Sequence, residues 1–187
     1  MAPNFRRNIE LGGTYFFTVV TARRAPIFAS ETARTLLSES LRREMSTRPF
    51  SLVAAVLLHE HLHAIWTLPA NDAAYSRRWS SIKARFTRAW LASGGVEVDV
   101  RPGQRDEGRR GVWQARYFEH TIQDDDDLER HVDYIHYNPV KHGLVTRPCD
   151  WRWSTFSRYV AAGQYPADWG CQAAPSTIAK LDMTRME

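Results

Sequence analysis

The chain has 187 residues, 43% of them hydrophobic and 25% charged, which describes one ordinary soluble domain with a core of its own. No apolar stretch approaches the ~20 residues that cross a bilayer, the N-terminus is polar, and the two cysteines, Cys149 and Cys171, lack metal-site spacing. A cytoplasmic protein is therefore expected, without a membrane span, a signal peptide or a disulfide framework. The formal net charge is only +4, but arginine supplies most of the cations and gathers at Arg6-Arg7, Arg23-Arg24, Arg42-Arg43, Arg77-Arg78 and between Arg101 and Arg110. That pattern suits a nucleic-acid partner as well as it suits a solvated surface.

In chain order, Gly12-Gly13 precede Thr14–Thr21, a strand rich in aromatic and β-branched residues. Ser30 and Glu31 open a helix to about Arg48 with Ala33, Leu36, Leu37, Leu41 and Met45 as its apolar stripe. Two apolar runs, Phe50–Leu58 and Ala64–Leu68, read as a hairpin turning near His59-Glu60 and bounded by Pro49 and Pro69. A helix from about Tyr75 to Ala92 follows, ended by Gly94-Gly95, with Trp79, Ile82, Phe86 and Trp90 on its buried face. Its Arg78, Lys83, Arg85 and Arg88 lie on other faces, where they can run along a phosphate backbone.

Residues 96–111 are polar, Gly-rich and basic, and read as a mobile loop; Val112–Phe118 reads as a further strand. Asp124–Asp127 then starts a helix expected to end near Asn138, because proline disfavours helix at the residue before it. Four consecutive aspartates read as a helix cap favoured by the dipole more readily than as a metal cluster. The order β-α-β-β-α-β with an appended helix is α+β: a ferredoxin-like antiparallel sheet with helices packed on it, over residues 1–160, and a C-terminal tail over 161–187.

His61-Leu62-His63 opens the second hairpin strand. Strand side chains alternate, so both imidazoles face one way, as a divalent-metal pair would. His59-Glu60-His61-Leu62-His63 also matches H-E-x-x-H, but that zinc-protease motif works only on a helix and its flanks here are β-rich. On the last helix, Leu128, Val132 and Ile135 form the apolar stripe, while His131, Tyr134 and Asn138 share an adjacent face. Packed on the sheet, that helix would bring Tyr134 and Asn138 to the His pair. Tyr134 is then a nucleophile facing a Lewis acid, and Asn138 a third ligand in a mixed N/O site suited to Mg2+ or Mn2+. The plainer reading makes Tyr134 a core-edge residue and Asn138 a helix C-cap.

Taken in order, a series of landmarks covers almost the whole chain: Gly12–Val19, His61-Leu-His63, Trp79–Lys83, Trp113–His120, Asp133–Gly143 and Asp150–Ser154. In these the sequence resembles the REP-associated tyrosine transposases, a branch of the single-tyrosine HUH endonucleases. The resemblance implies a domain that binds single-stranded DNA folded into imperfect palindromic hairpins, then cuts and rejoins it. It also implies that His61 and His63 bind the metal, that Tyr134 is the nucleophile, and that Asn138 stands where relatives carry a polar metal ligand. The family usually has proline and an acid before the first histidine; here stand His59-Glu60, which makes His59 a competing ligand.

The expected DNA contacts are Arg6, Arg7, Arg78, Lys83, Arg85, Arg88, Arg105, Arg109 and Arg110, in a monomer or homodimer. Two rivals remain open at this point: a non-catalytic hairpin DNA- or RNA-binding regulator on the same fold, and a metal-dependent phosphodiesterase that activates water.

Overall fold

The computed structural model describes residues 10–100 and 110–181. Strands β1 (Thr14–Val20), β2 (Ser51–Leu57), β3 (His61–Thr67) and β4 (Phe118–Thr121) form one antiparallel sheet in the order β2-β3-β1-β4. Central β1 and β3 alternate strictly. Tyr15, Phe17 and Val19 with Leu62, Ala64 and Trp66 face one side, and Phe16 with Ile65 faces the other.

Helices α1 (Glu31–Thr47) and α2 (Tyr75–Ala92) cover the first side. The Ser30 hydroxyl caps α1 by accepting from Ala33 N, and Ala33 and Leu37 are buried below it. Trp79 of α2 stacks on Trp66 with centroids 4.2 Å apart. The other side is covered by α3 (Asp125–Lys141), whose Asp124 cap accepts from Asp127 N at 2.7 Å and whose first turn carries three further aspartates. The short α4 (Phe156–Ala161) follows. Within residues 161–181, expected as a tail, the Tyr165 and Thr177 hydroxyls both donate to Asp133 of α3, and Ile178 joins the core there.

Two element boundaries differ from the sequence expectation. The strand expected over 112–118 is β4 at 118–121; earlier, only Trp113 bridges Thr21 and Gln114 N donates to Val20 O. Thr21 faces Trp113 and Thr18 faces Phe118, so the chain spends two extra residues between these pairings and swings Gln114, Ala115 and Arg116 out to solvent. The last helix does not stop at Asn138 but runs through Pro139 to Lys141. Proline's lost N–H removes a single helical bond, while Pro139 is buried and the bonds His142 N→Asn138 O, Gly143 N→Val140 O and Leu144 N→Pro139 O close the end. The loop expected over 96–111 is described only at 96–100 and 110–111.

Candidate active site

The pairing register builds the site. Thr18 of β1 lies opposite His63, and Val20 opposite His61, so the two imidazoles project from the centre of the sheet toward α3. Both are fully buried. Their Nε2 atoms face each other at 3.1 Å, and each ring is held from behind. His61 Nδ1–H donates to Glu60 Oε1 at 3.0 Å, and His63 Nδ1 is hydrogen-bonded to Thr18 Oγ1 at 2.9 Å. Two nitrogens each about 2.1 Å from one metal and at right angles around it lie about 3 Å apart. Second-sphere bonds to the far nitrogen are what orient metal-binding imidazoles.

Electrostatics favour the ligand form. Burial first, then His61, His142, Lys141 and Arg24, hold His63 well below the usual imidazole range, so it keeps a lone pair at neutral pH. The Glu60 carboxyl is lowered chiefly by its hydrogen bond with His61, and so stays an ionised acceptor.

Helix α3 supplies the rest. The Tyr134 ring is fully buried, 5.2 Å from the His63 ring and 6.1 Å from Phe16. Asn138, one turn later, is also fully buried, and neither Oδ1 nor Nδ2 of its amide has a hydrogen-bond partner. An orphaned amide of this kind costs about 1–3 kcal/mol unless some further group satisfies it. The donor set, two neutral imidazoles and an unspent amide oxygen, fits a divalent ion.

Lys141 and His142 were not foreseen, because the helix was expected to end before them. Lys141 Nζ sits 5.1 Å over the Tyr134 ring, and the His142 ring is 5.3 Å from His61. Glu60 and Thr18, which fix the two imidazoles, were also missed as site residues; the strand alternation that pairs Thr18 with His63 was the available signal. His59 turns away and packs on Trp151 at 5.6 Å, outside the pair it was expected to compete with.

A second group that could hold a metal is formed by His120, Asp127 and His131, whose ligand atoms lie within 4.8 Å of one another. Its geometry also serves the helix start. The Asp127 carboxylate accepts from His120 Nε2 at 2.7 Å and from Gln123 N at 3.1 Å, while the two imidazoles stack 4.6 Å apart.

The expected DNA-binding cations separate into distinct environments. Arg78 departs from the expectation of a solvent-facing cation: it is 2% exposed, and its guanidinium donates to Asp72, Arg48 O and Pro49 O, so it ties loops together. Arg85 donates to Ser40 O and pairs with Glu44 at 3.5 Å, bracing α2 on α1. Arg88 is exposed. Arg110 forms a two-pronged pair with Glu97. Lys83 donates to Gln114 O at 3.0 Å, and burial pushes its amine down to about 8. Arg6, Arg7, Arg105 and Arg109 lie outside the described residues.

No protein-family model matches the chain. Named relatives do. It is 42% identical over 166 residues to the REP-associated tyrosine transposase of Escherichia coli (strain K12), covering 88% of this chain and 89% of that one. A Haemophilus influenzae relative carrying the same family name is 40% identical over 170 residues, covering 89% and 93%. A solved structure of a REP-associated tyrosine transposase bound to a REP hairpin superposes with a TM-score of 0.72 at 40% identity, covering 89% of this chain and 90% of that one. No helix among the described residues is long and apolar enough to cross a membrane.

Proposed function

Since the chain belongs to the REP-associated tyrosine transposase family, we propose that it is a sequence- and structure-specific endonuclease and strand-transfer enzyme for single-stranded DNA, which cleaves and rejoins DNA at palindromic hairpins through a 5′-phosphotyrosine. The observation that carries this reading is the placement of Tyr134 5.2 Å from His63, with the Nε2 atoms of His61 and His63 converged behind it. A purely DNA-binding protein needs none of these groups buried together.

His61 and His63, with the Asn138 amide oxygen as third donor, would hold a divalent ion, Mg2+ or Mn2+. When bound, that ion supplies Lewis-acid polarisation of the scissile phosphate. Tyr134 Oη attacks phosphorus; the new Oη–P bond forms as the bond to the 3′ oxygen breaks, and that oxygen leaves as a 3′-hydroxyl after gaining a proton. A phenol with an ordinary pKa of ~10 must lose its proton to attack well, and the Lys141 ammonium over the ring stabilises the resulting phenolate. The phosphotyrosine retains the energy of the phosphodiester, so a second 3′-hydroxyl reverses the step without ATP.

A single Tyr134 cuts one strand at a time, so complete transfer uses two active sites or one site twice, in a monomer or a homodimer. Burial of Tyr134 and the His pair means that a phosphodiester reaches them only after the groups packed over them give way. Lys83, Arg88 and Arg110, with Arg6, Arg7, Arg105 and Arg109, are the proposed DNA contacts; residues 1–160 form the working domain and 161–187 an appendage to it.

The test is incubation with hairpin-bearing single-stranded DNA and Mn2+ or Mg2+, resolved on a denaturing gel. A covalent protein–DNA adduct and a free 3′-hydroxyl fragment are expected, and both should vanish with chelator, with Tyr134→Phe and with the His61→Ala/His63→Ala pair. Cleavage without an adduct would favour activated water instead, and binding without cleavage a regulator.

A further inference from the structure

Apart from the His61/His63 pair, three side chains of metal-binding type converge where β4 meets the start of α3. His120 of β4 lies opposite Phe16 of β1, and its ring stacks on that of His131 across the gap to α3. Asp127 and His131 are four residues apart and share one side of α3. One ligand atom from each of the three lies within 4.8 Å of the other two. Only residues 122–124 separate strand from helix, and Gln123 braces that turn by donating from Nε2 to Thr121 O at 2.7 Å.

The surroundings keep these donors in ligand form. His131 is buried, and burial above all lowers its imidazole below the usual range, so it keeps a lone pair at neutral pH. Burial opposes ionisation of Asp127, but the hydrogen bonds from His120 and Gln123 N outweigh it and hold the carboxyl low. Two imidazoles and one carboxylate form a donor set that zinc takes readily.

Little has to move for an ion to enter. Donors about 2.1 Å from a tetrahedral zinc stand about 3.4 Å from one another. Asp127 Oδ2 is 2.7 Å from His120 Nε2, and Oδ1 is 3.1 Å from His131 Nδ1, so the carboxylate already meets both nitrogens. The two stacked rings must turn toward each other, and the His120 side chain, 34% exposed, can do so while leaving the fourth position to water. Each ligating nitrogen gives up its proton to the far nitrogen of its own ring, and the imidazole stays neutral. Asp127 O, which accepts from His131 Nδ1 at 2.8 Å, keeps the backbone N–H of the helix as its partner. Arg130, 3.6 Å from Asp127 Oδ1, is the cation that the metal displaces.

We infer that His120, Asp127 and His131 form a second metal site, which takes zinc in preference to Mg2+ or Mn2+ and fastens β4 to the first turns of α3. Imidazole nitrogen favours zinc, whereas Mg2+ and Mn2+ favour oxygen donors. Phe16 stands between this site and the catalytic pair, its ring 4.9 Å from that of His131 and 5.5 Å from that of His63. His131 precedes Tyr134 by three residues, so a bound ion holds the turn of α3 that leads into the nucleophile. Zinc binding here requires nothing of the DNA chemistry.

The experiment measures zinc bound per chain by equilibrium dialysis of the full chain. A background with His61→Ala, His63→Ala, Cys149→Ser and Cys171→Ser removes the catalytic pair and the free thiols. It should bind one zinc, keep it against a large excess of Mg2+ or Mn2+, and unfold at a higher temperature with zinc than without. His120→Gln can still donate to Asp127 but supplies no imidazole. Placed in that background, it should weaken zinc binding by at least about 100-fold, since loss of even an outer partner costs 10–100-fold. It should also abolish the zinc-dependent rise in unfolding temperature while leaving the zinc-free value near that of the background. Asp127→Asn should lose the zinc as well, and His120→Gln in the otherwise unaltered chain should lower the zinc count by one. A background that binds no zinc, or zinc held equally tightly after His120→Gln and Asp127→Asn, would overturn the site. Displacement by Mg2+ or Mn2+ at matched concentration would overturn its preference for zinc.

Discussion

The two faces of the sheet are built from the same strands but bury different chemistry. Toward α1 and α2 the strands contribute Tyr15, Phe17, Val19, Leu62, Ala64 and Trp66, and the helices answer with Trp79, Ile82 and Phe86. Toward α3 the same strands contribute Thr18, His61 and His63, and the helix answers with Tyr134, Asn138 and His131, all buried. Burial of apolar area is stabilising at about 25 cal/mol per Å², whereas burial of unsatisfied polar groups is a cost. The first face therefore serves the fold alone, while the second joins an apolar core of its own, with Phe16, Ile65, Val132 and Ile135, to a reactive arrangement held at a penalty. A period-2 strand is what allows both in the same residues.

The sharpest way to break this division is a pair of substitutions, one on each face. Tyr134→Phe removes only an oxygen. It should lower adduct formation at least about 10⁴-fold, the scale seen when a nucleophile is lost, and leave the unfolding free energy nearly unchanged. Trp79→Ala, stacked on Trp66 on the opposite face, should cost about 3–5 kcal/mol of stability in denaturant titration. If the folded fraction of Trp79→Ala cleaves poorly per molecule, or if Tyr134→Phe unfolds the chain, the two faces are not separable in this way.

Asn138 tests the penalty directly. Its buried amide lacks hydrogen-bond partners, so Asn138→Leu, of similar volume, should raise stability by about 1–2 kcal/mol while reducing metal-dependent cleavage. A stabilising substitution that damages activity is the expected mark of a functional position. Loss of stability in Asn138→Leu would mean that the amide is satisfied in the folded protein and is not held in reserve for a ligand.

How far the sequence disclosed these faces depended on the range of each signal. Local periodicity placed β1, α1, α2 and the hairpin, and the His61/His63 spacing put both imidazoles on one face. It failed where a tertiary contact outweighed a local rule. The bias against helix before proline ended α3 too early, since burial of Pro139 and the bonds beyond it carry the helix on; Lys141 and His142 were hidden as a result. The two extra residues between Trp113 and Phe118 displaced the fourth strand, because no local pattern marks an excursion of that kind. Helical spacing assigned Arg78 to a phosphate-facing surface, but an arginine answered by Asp72 and two carbonyls looks the same in sequence as one facing solvent.

A smaller effect separates Lys83 from the surface cations. Its folded pKa of about 8 lies below its ordinary 10.5 because burial penalises the ammonium. Between those two values the unfolded chain binds the proton and the folded chain does not, so this group makes stability rise with pH from about 8 to 10.5. Below pH 8 the charged amine is a standing cost. Lys83→Met should therefore be more stable than the parent at pH 7, with the difference shrinking as pH climbs toward 10.5 in parallel unfolding curves. A difference that is constant with pH would show Lys83 to be solvated like Arg88.

The smallest expected effect lies between two arginines on one helix. Arg88 is exposed, whereas Arg78 is enclosed by Asp72, Arg48 O and Pro49 O. Each single-strand phosphate neutralised contributes about −0.7 to the log–log dependence of affinity on salt. Arg88→Ala should flatten that slope by about 0.7 for every hairpin sequence alike, because phosphate contacts position the strand without reading it. Its stability should stay within about 0.5 kcal/mol of the parent, as surface substitutions usually do. Arg78→Ala should do the reverse, lowering stability by roughly 2–3 kcal/mol through its lost hydrogen bonds and leaving the slope where it was. A flatter slope in Arg78→Ala would return that side chain to the DNA surface, and would require the loop it anchors to open when DNA binds.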